Sequence, residues 1–171
     1  MSRARGAVET VAPVRARGGL GLVLLLALGV VLADQVTKVW VDSVMRLHQS
    51  IPVVAGFIDL TYVRNTGGAF SLLADAPATL RLPLFVTVAL SAIGGLIWYV
   101  RTLPPGDSLS RLACGLVLGG ATGNLIDRVL EGSVVDFVDV YIGTWHWPAW
   151  NVADAGISVG VVLLLFRSFR P

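Results

Sequence analysis

The chain is poor in the residues that carry most hydrolytic and metal chemistry: one cysteine, two histidines and a single lysine in 171 residues. Cys114 sits alone in an apolar run, which excludes a disulfide framework and a cysteine-built metal site and reads as packing. With only His48 and His146, and no His-Glu-x-x-His, the roughly three protein ligands that a catalytic zinc needs are missing. No metal and no cofactor is expected. Charge is scarce too: 14% of residues are charged and 55% hydrophobic, where soluble domains carry about 25% charge. Mean hydropathy is +0.77, so the solvent of this chain is a bilayer. The pI near 9.1 accompanies a net charge of only +2, and many basic residues flank hydrophobic runs. Topology explains them better than nucleic acid, which is not an expected partner.

Crossing about 30 Å of hydrocarbon takes roughly 20 apolar residues as helix. Four runs come close, about 19–40, 82–100, 112–130 and 152–169, and predict an all-α membrane protein with four transmembrane helices. Residues 1–18, rich in Arg, Ala and Gly, read as a disordered cytoplasmic tail, and 19–171 as one integral-membrane domain. An even number of spans puts both termini on one side. Arg3, Arg5, Arg15 and Arg17 in the tail, Arg101 and Arg111 in the second short loop, and Arg167 and Arg170 make that side cytoplasmic. The outer side receives Asp42, Asp59, Asp75, Glu131, Asp136 and Asp139, with Trp145, Trp147 and Trp150 as an interfacial belt, but also Arg46, Arg64 and Arg81. Between the first two spans, residues 57–63 have the β-branched and aromatic enrichment of a strand. A small extracytoplasmic sheet is expected there, its turns marked by Pro52, Gly56 and Asn65-Thr66-Gly67-Gly68. The first run also fits a secretory signal ending at Val31-Leu32-Ala33. Cleavage would leave three spans and fit the arginines worse.

Charged groups inside a membrane are expensive and usually functional, and here they cluster near the outer ends of the runs. Asp34 and Lys38, four apart, share a helix face. They read either as an interfacial ion pair with Lys38 snorkelling to the headgroups, or as support for an outer-face site. Gly115, Gly119 and Gly123 form a stripe that lets helices approach closely. Beside it fall Gly120, Asn124, Asp127 and Arg128, the arginine placed to reach a headgroup, a substrate carbonyl or another carboxylate. The fourth run opens Asn151-Val152-Ala153-Asp154, an N-cap followed by an acid that suits the helix dipole. Asn151, Asp154, Ala155 and Ser158 also make one polar or small stripe fit to line a cavity. Asp136 lies among Val134, Val135, Phe137 and Val138, where a lone charge is costly without a partner or a shared proton.

A serine–lysine peptidase would have to use Lys38, and no serine lies one or two turns away on its face; Ser43 is the nearest. Cys114 lies toward the cytoplasmic end, away from the polar cluster. Paired carboxylates activating water remain: one ionised acid takes a proton from water, and the other, kept protonated, polarises the scissile carbonyl. Asp127, Asp136 and Asp154 compete for these two roles, and spacing does not rank them.

At these residues the chain resembles the lipoprotein signal peptidases, or type II signal peptidases, of bacterial cytoplasmic membranes. The resemblance rests on five motifs in the family's order: DQVTK at 34–38, NTGGAFS at 65–71, GGATGNLIDR at 119–128, VVDF at 134–137 and PAWNVADAGISVG at 148–160. It implies a cofactor-free aspartic endopeptidase that removes the signal peptide of a prolipoprotein, cutting just before the diacylglyceryl-modified cysteine. It also implies catalytic roles for Asp136 and Asp154 and supporting roles for Asp34, Asn65, Asn124, Asp127, Arg128 and Asn151; Lys38, beside Asp34, and Gly67, whose backbone could approach a substrate closely, join them as substrate-binding or supporting candidates. Contact with membrane lipids and inhibition by globomycin-type cyclic peptides are further implications. Gly68 stands where many members have alanine, and Trp150 where phenylalanine is usual. The competing function is a small proton-coupled transporter, whose acids should lie near the midplane rather than at one end of the spans. A non-catalytic assembly factor would use the same residues only for packing.

Overall fold

A computed structural model describes residues 19–68 and 72–169. The expected tail at 1–18, Arg170 and the last three residues of the NTGGAFS motif lie outside the described residues. The elements run α1 (Gly19–Val44), β1 (Ser50–Val54), β2 (Ile58–Asn65), α2 (Ala78–Thr102), α3 (Ser108–Glu131), β3 (Val134–Ile142), β4 (Trp145–His146) and α4 (Val152–Ser168).

The helices bury the reverse of what a water-soluble bundle buries. In α1, Asp34 is 0% and Lys38 3% exposed, whereas Leu25 and Val39 are 67% and 68% exposed. Apolar side chains turned outward match hydrocarbon, and the few polar ones turn inward toward each other. Three helices, α1, α2 and α3, are long and apolar enough to cross a membrane. The fourth, α4, is apolar but has 17 residues, roughly 25 Å of helix at 1.5 Å per residue.

The central helix is α3, which packs against α1, α2 and α4. Its glycines make the approach possible. A Cβ on Gly119 would meet Val30 Cβ at 2.6 Å and Ala27 O at 2.7 Å, and one on Gly120 would overlap the Ala153 carbonyl. The stripe predicted for packing, Gly115, Gly119 and Gly123, faces α1, and Gly120 from the neighbouring stripe admits α4. On α4 the buried positions are Ala153, Gly156 and Gly160, while Ser158 of the expected polar stripe is exposed. Asp107 caps α3, accepting from Ser110 N at 3.1 Å and Ser110 Oγ at 2.9 Å. Gly132 ends it at φ 69°, a left-handed position that costs glycine nothing.

The sheet corrects one expectation. It does not come only from the segment between the first two helices: it has four antiparallel strands in the order β1-β2-β3-β4, and β3 and β4 lie between α3 and α4. The long pairing is β2 with β3, which sets Val63 opposite Asp136 and Asn65 opposite Val134. The run 134–142 is nearly all β-branched or aromatic, which suits a strand, but its apolar character also suits the end of a membrane helix. Val41 and Met45 at the end of α1 pack with Tyr62, Val135 and Phe137, fastening the sheet to that end of the bundle. Near the opposite end, Cys114 packs with Val23, Val100 and Leu118, as expected of a structural cysteine.

Candidate active site

Helices α1, α3 and α4 and strands β2 and β3 each deliver polar side chains to the sheet end of the bundle. Every candidate site residue named from the sequence arrives there, in one hydrogen-bonded network.

Asp136 projects from β3 and is 3% exposed. Its Oδ1 accepts from Asn151 Nδ2 at 2.7 Å and its Oδ2 from Asn65 Nδ2 at 3.1 Å. Burial, followed by the charge of the neighbouring Asp154, raises its carboxyl pKa to about 7. Asp154 stands in the first turn of α4, where its Oδ1 accepts from Asn124 Nδ2 at 2.8 Å and its Oδ2 from Asn151 N at 3.3 Å. Asn151 Oδ1 accepts in return from Asp154 N at 3.0 Å, completing a capping box. Capping and site building are thus not rival readings of Asn151-x-x-Asp154. The same asparagine starts the helix and holds the acid on the strand.

Lys38 does not snorkel. Its ammonium lies 2.7 Å from Asp34 Oδ2, 2.8 Å from Asp127 Oδ2 and 3.0 Å from Asn124 Oδ1, so buried carboxylates outcompete the headgroup region for it. Asp34 also reaches across to α4, accepting from Ala153 N at 2.9 Å; it thereby satisfies a first-turn N–H that the helix itself leaves open. Asp127 accepts from Val135 N at 3.4 Å, tying α3 to β3. A Cβ on Gly123 would meet Asp34 Oδ2 at 2.5 Å, so this glycine makes room for the carboxylate between the helices. Arg128 spends its fork on backbone, donating to Asn124 O at 3.2 Å and Gly67 O at 3.0 Å, with its guanidinium 5.1 Å over the Phe85 ring. Among the described residues no carboxylate is bonded to it; it holds the turn after β2.

Two contributors escaped the sequence reading. Gln35 donates to Asp127 Oδ1 at 2.8 Å and Asp34 Oδ2 at 3.2 Å, bridging the two acids that flank Lys38. An amide inside an apolar run, adjacent to Asp34, was the available signal. Phe85, which carries Arg128, had none, being one apolar residue among many in α2.

The comparisons with known proteins bear on this geometry. A family model described as Signal peptidase (SPase) II matches residues 26–170. The chain belongs to the signal peptidase II family. It is similar to the lipoprotein signal peptidase of Syntrophotalea carbinolica, with 48% identity over 149 residues covering 87% of this chain and 91% of the relative. It is also similar to that of Geobacter sulfurreducens, with 50% identity over 145 residues covering 85% and 89%. Two structures of bacterial membrane enzymes solved by the in meso method share the fold. One, at 2.3 Å resolution, has TM-score 0.80 and 31% identity and covers 88% of this chain and 89% of its own. The other, at 1.9 Å, has TM-score 0.79 and 30% identity and covers 88% and 94%. As a signal peptidase II the chain is a protease of the bacterial inner membrane that removes signal peptides from prolipoproteins, which leaves the transporter reading without support.

Proposed function

We propose that this signal peptidase II is an aspartic endopeptidase in which Asp136 and Asp154 share one proton and hydrolyse the peptide bond just before the diacylglyceryl-modified cysteine. The observation that carries the reading is that Asn151 holds both carboxyls, one by its side-chain amide and one by its backbone N–H. Asp127, the third contender, is engaged by Lys38, Gln35 and Val135 N, which argues for a supporting role. Asp34, Lys38, Asn65, Gly67, Asn124, Arg128 and Asn151 complete the support.

The proposed topology has four spans within one domain over 19–171, the fourth starting at the interface because α4 begins at its cap in the site. Both termini are cytoplasmic and the site faces outward. Supporting this, Arg101, Arg111 and Arg167 lie at the end of the helices opposite the sheet, the arrangement that cytoplasmic arginines favour. An outer-face site meets a substrate whose lipid stays in the outer leaflet while its backbone reaches the acids. Membrane lipids and globomycin-type peptides are the further expected ligands of that cleft. The test is a gel-shift cleavage assay on a lipidated prolipoprotein. Asp136→Asn and Asp154→Asn should each abolish processing while the protein accumulates in the membrane, and a chelator should leave the parent active. Normal processing by either variant refutes the dyad.

A further inference from the structure

We propose that Lys38 is a positioning residue that, through the amide of Asn124, keeps Asp154 ionised as the base of the dyad and leaves the shared proton on Asp136. This rests on the dyad reading above and adds a division of labour between its two acids.

The geometry of Asn124 carries the assignment. An ammonium only donates, so the atom 3.0 Å from Lys38 Nζ must be the amide oxygen, and Asn151 Nδ2, a second donor, points at the same oxygen at 3.4 Å. With Oδ1 fixed by two donors, Nδ2 must face Asp154 Oδ1, 2.8 Å away. A flipped amide would set donor against donor. The cation therefore polarises an amide whose other end donates to Asp154, and a donor polarised in this way favours a carboxylate over a carboxylic acid. The second oxygen of Asp154 accepts a backbone N–H in the first turn of α4, where the helix dipole also favours negative charge. Asp136 has no such relay and no helix N-terminus, and the charge of Lys38 reaches it only through space. It sits on a strand, its two donors are the neutral side-chain amides of Asn65 and Asn151, and among the described residues no cation is bonded to it. Its carboxyl pKa, raised to about 7 by burial and then by the charge of Asp154, agrees with a proton held there.

The other charged groups facing Asp154 are Asp34 from α1, Asp127 and Arg128 from α3, and Asp136 from β3. Asp34 opposes ionisation, but both its oxygens are committed, to Lys38 and to Ala153 N. Arg128 directs its donors to the carbonyls of Asn124 and Gly67. Among these groups, the direct hydrogen-bonded route from a cation to the dyad runs from Lys38 through Asn124.

In the step this implies, the Asp154 carboxylate takes a proton from water and the resulting hydroxide oxygen bonds to the scissile carbonyl carbon. Asp136 delivers its proton to the carbonyl oxygen. On collapse the carbon–nitrogen bond breaks, Asp154 returns its proton to the leaving amine, and Asp136 recovers one from the diol, restoring the starting state.

The test is the pH profile of kcat/KM on a lipidated prolipoprotein for the parent, Lys38→Gln and Lys38→Arg. Glutamine can still donate to Asn124 but carries no charge. Its acidic limb should move up by about one pH unit and clearly further than the alkaline limb, and arginine should bring the limb back. Movement of the alkaline limb by as much as the acidic limb or more, or a slower rate with both limbs fixed, overturns the proposal. Should Lys38→Gln fail to accumulate, isotope-edited infrared spectra decide. The protonated-carboxyl band of the parent below neutral pH should vanish in Asp136→Asn, and its persistence there overturns the assignment. Cleavage surviving either Asp→Asn change would refute the dyad itself, whereas loss in both with the limbs reversed refutes only the division of labour between the two acids.

Discussion

Asn151 Nδ2 donates to Asp136 Oδ1 at 2.7 Å, and the same residue caps the helix that carries Asp154. Removing it should therefore damage two things that a second substitution can separate. Asn151→Ala loses a cap worth about 1 kcal/mol and strips a donor from a buried carboxyl, a further ~1–3 kcal/mol. Asn151→Ser keeps a capping oxygen but is too short to reach Asp136. Thermal unfolding in detergent should show serine recovering most of the stability, and the cleavage assay should show it recovering none of the activity. Full activity in the serine variant would mean that only the cap matters.

The raised pKa of Asp136 makes it a liability to the fold. Between the ordinary carboxyl value of 3.8 and about 7, the folded state holds a proton that the unfolded chain has released. Stability from this group is therefore full at low pH, declines as pH rises through that window, and is at its lowest above it. Asp136→Asn should be inactive yet more heat-stable than the parent at about pH 8, with the difference closing toward about pH 4. Equal melting temperatures at both pH values would contradict the burial argument.

Helix spacing should be as sensitive as the chemistry. A Cβ at Gly120 overlaps Ala153 O, so Gly120→Ala must push α4, and with it Asp154, away from α3. We expect a loss of ~1–3 kcal/mol and a fall in kcat. Gly29 is also helical, but a Cβ added there would meet nothing within 4 Å, so Gly29→Ala should be neutral or gain up to ~1 kcal/mol. Circular dichroism melts of the two variants side by side make the comparison.

Arg128 grips two carbonyls with one planar fork, and lysine cannot reproduce that. Arg128→Lys should keep the charge but release Gly67 O and leave the face of Phe85, lowering kcat/KM about tenfold or more. Steady-state kinetics on a lipidated prolipoprotein would show it. Unchanged kcat/KM would mean that charge alone is needed there.

Much of the site was legible because its signals are local: Asp34 with Lys38 on one face, Asn124 with Asp127 and Arg128 on another, Asn151 capping toward Asp154. What periodicity could not give was which neighbour each group chooses. Lys38 read equally well as a surface cation because spacing does not report that Asp127, on a different helix, waits beside it. The second half of the sheet was missed for a similar reason. Strand β3 earns its place by pairing with β2, far away in sequence, and an apolar run of its kind does not announce whether it will pair or span. Three helix ends moved outward by four residues, to Val44, Ala78 and Ser108, where polar residues extend a helix beyond its apolar run.

Lys38 is the only lysine in the sequence, and its amine is engaged on three sides and 3% exposed. Lysine-directed reagents should therefore find no side-chain target in the intact protein. Their slow incorporation at this one position would clock the opening of the bundle itself, making the residue a built-in reporter of how often the membrane-embedded core comes apart.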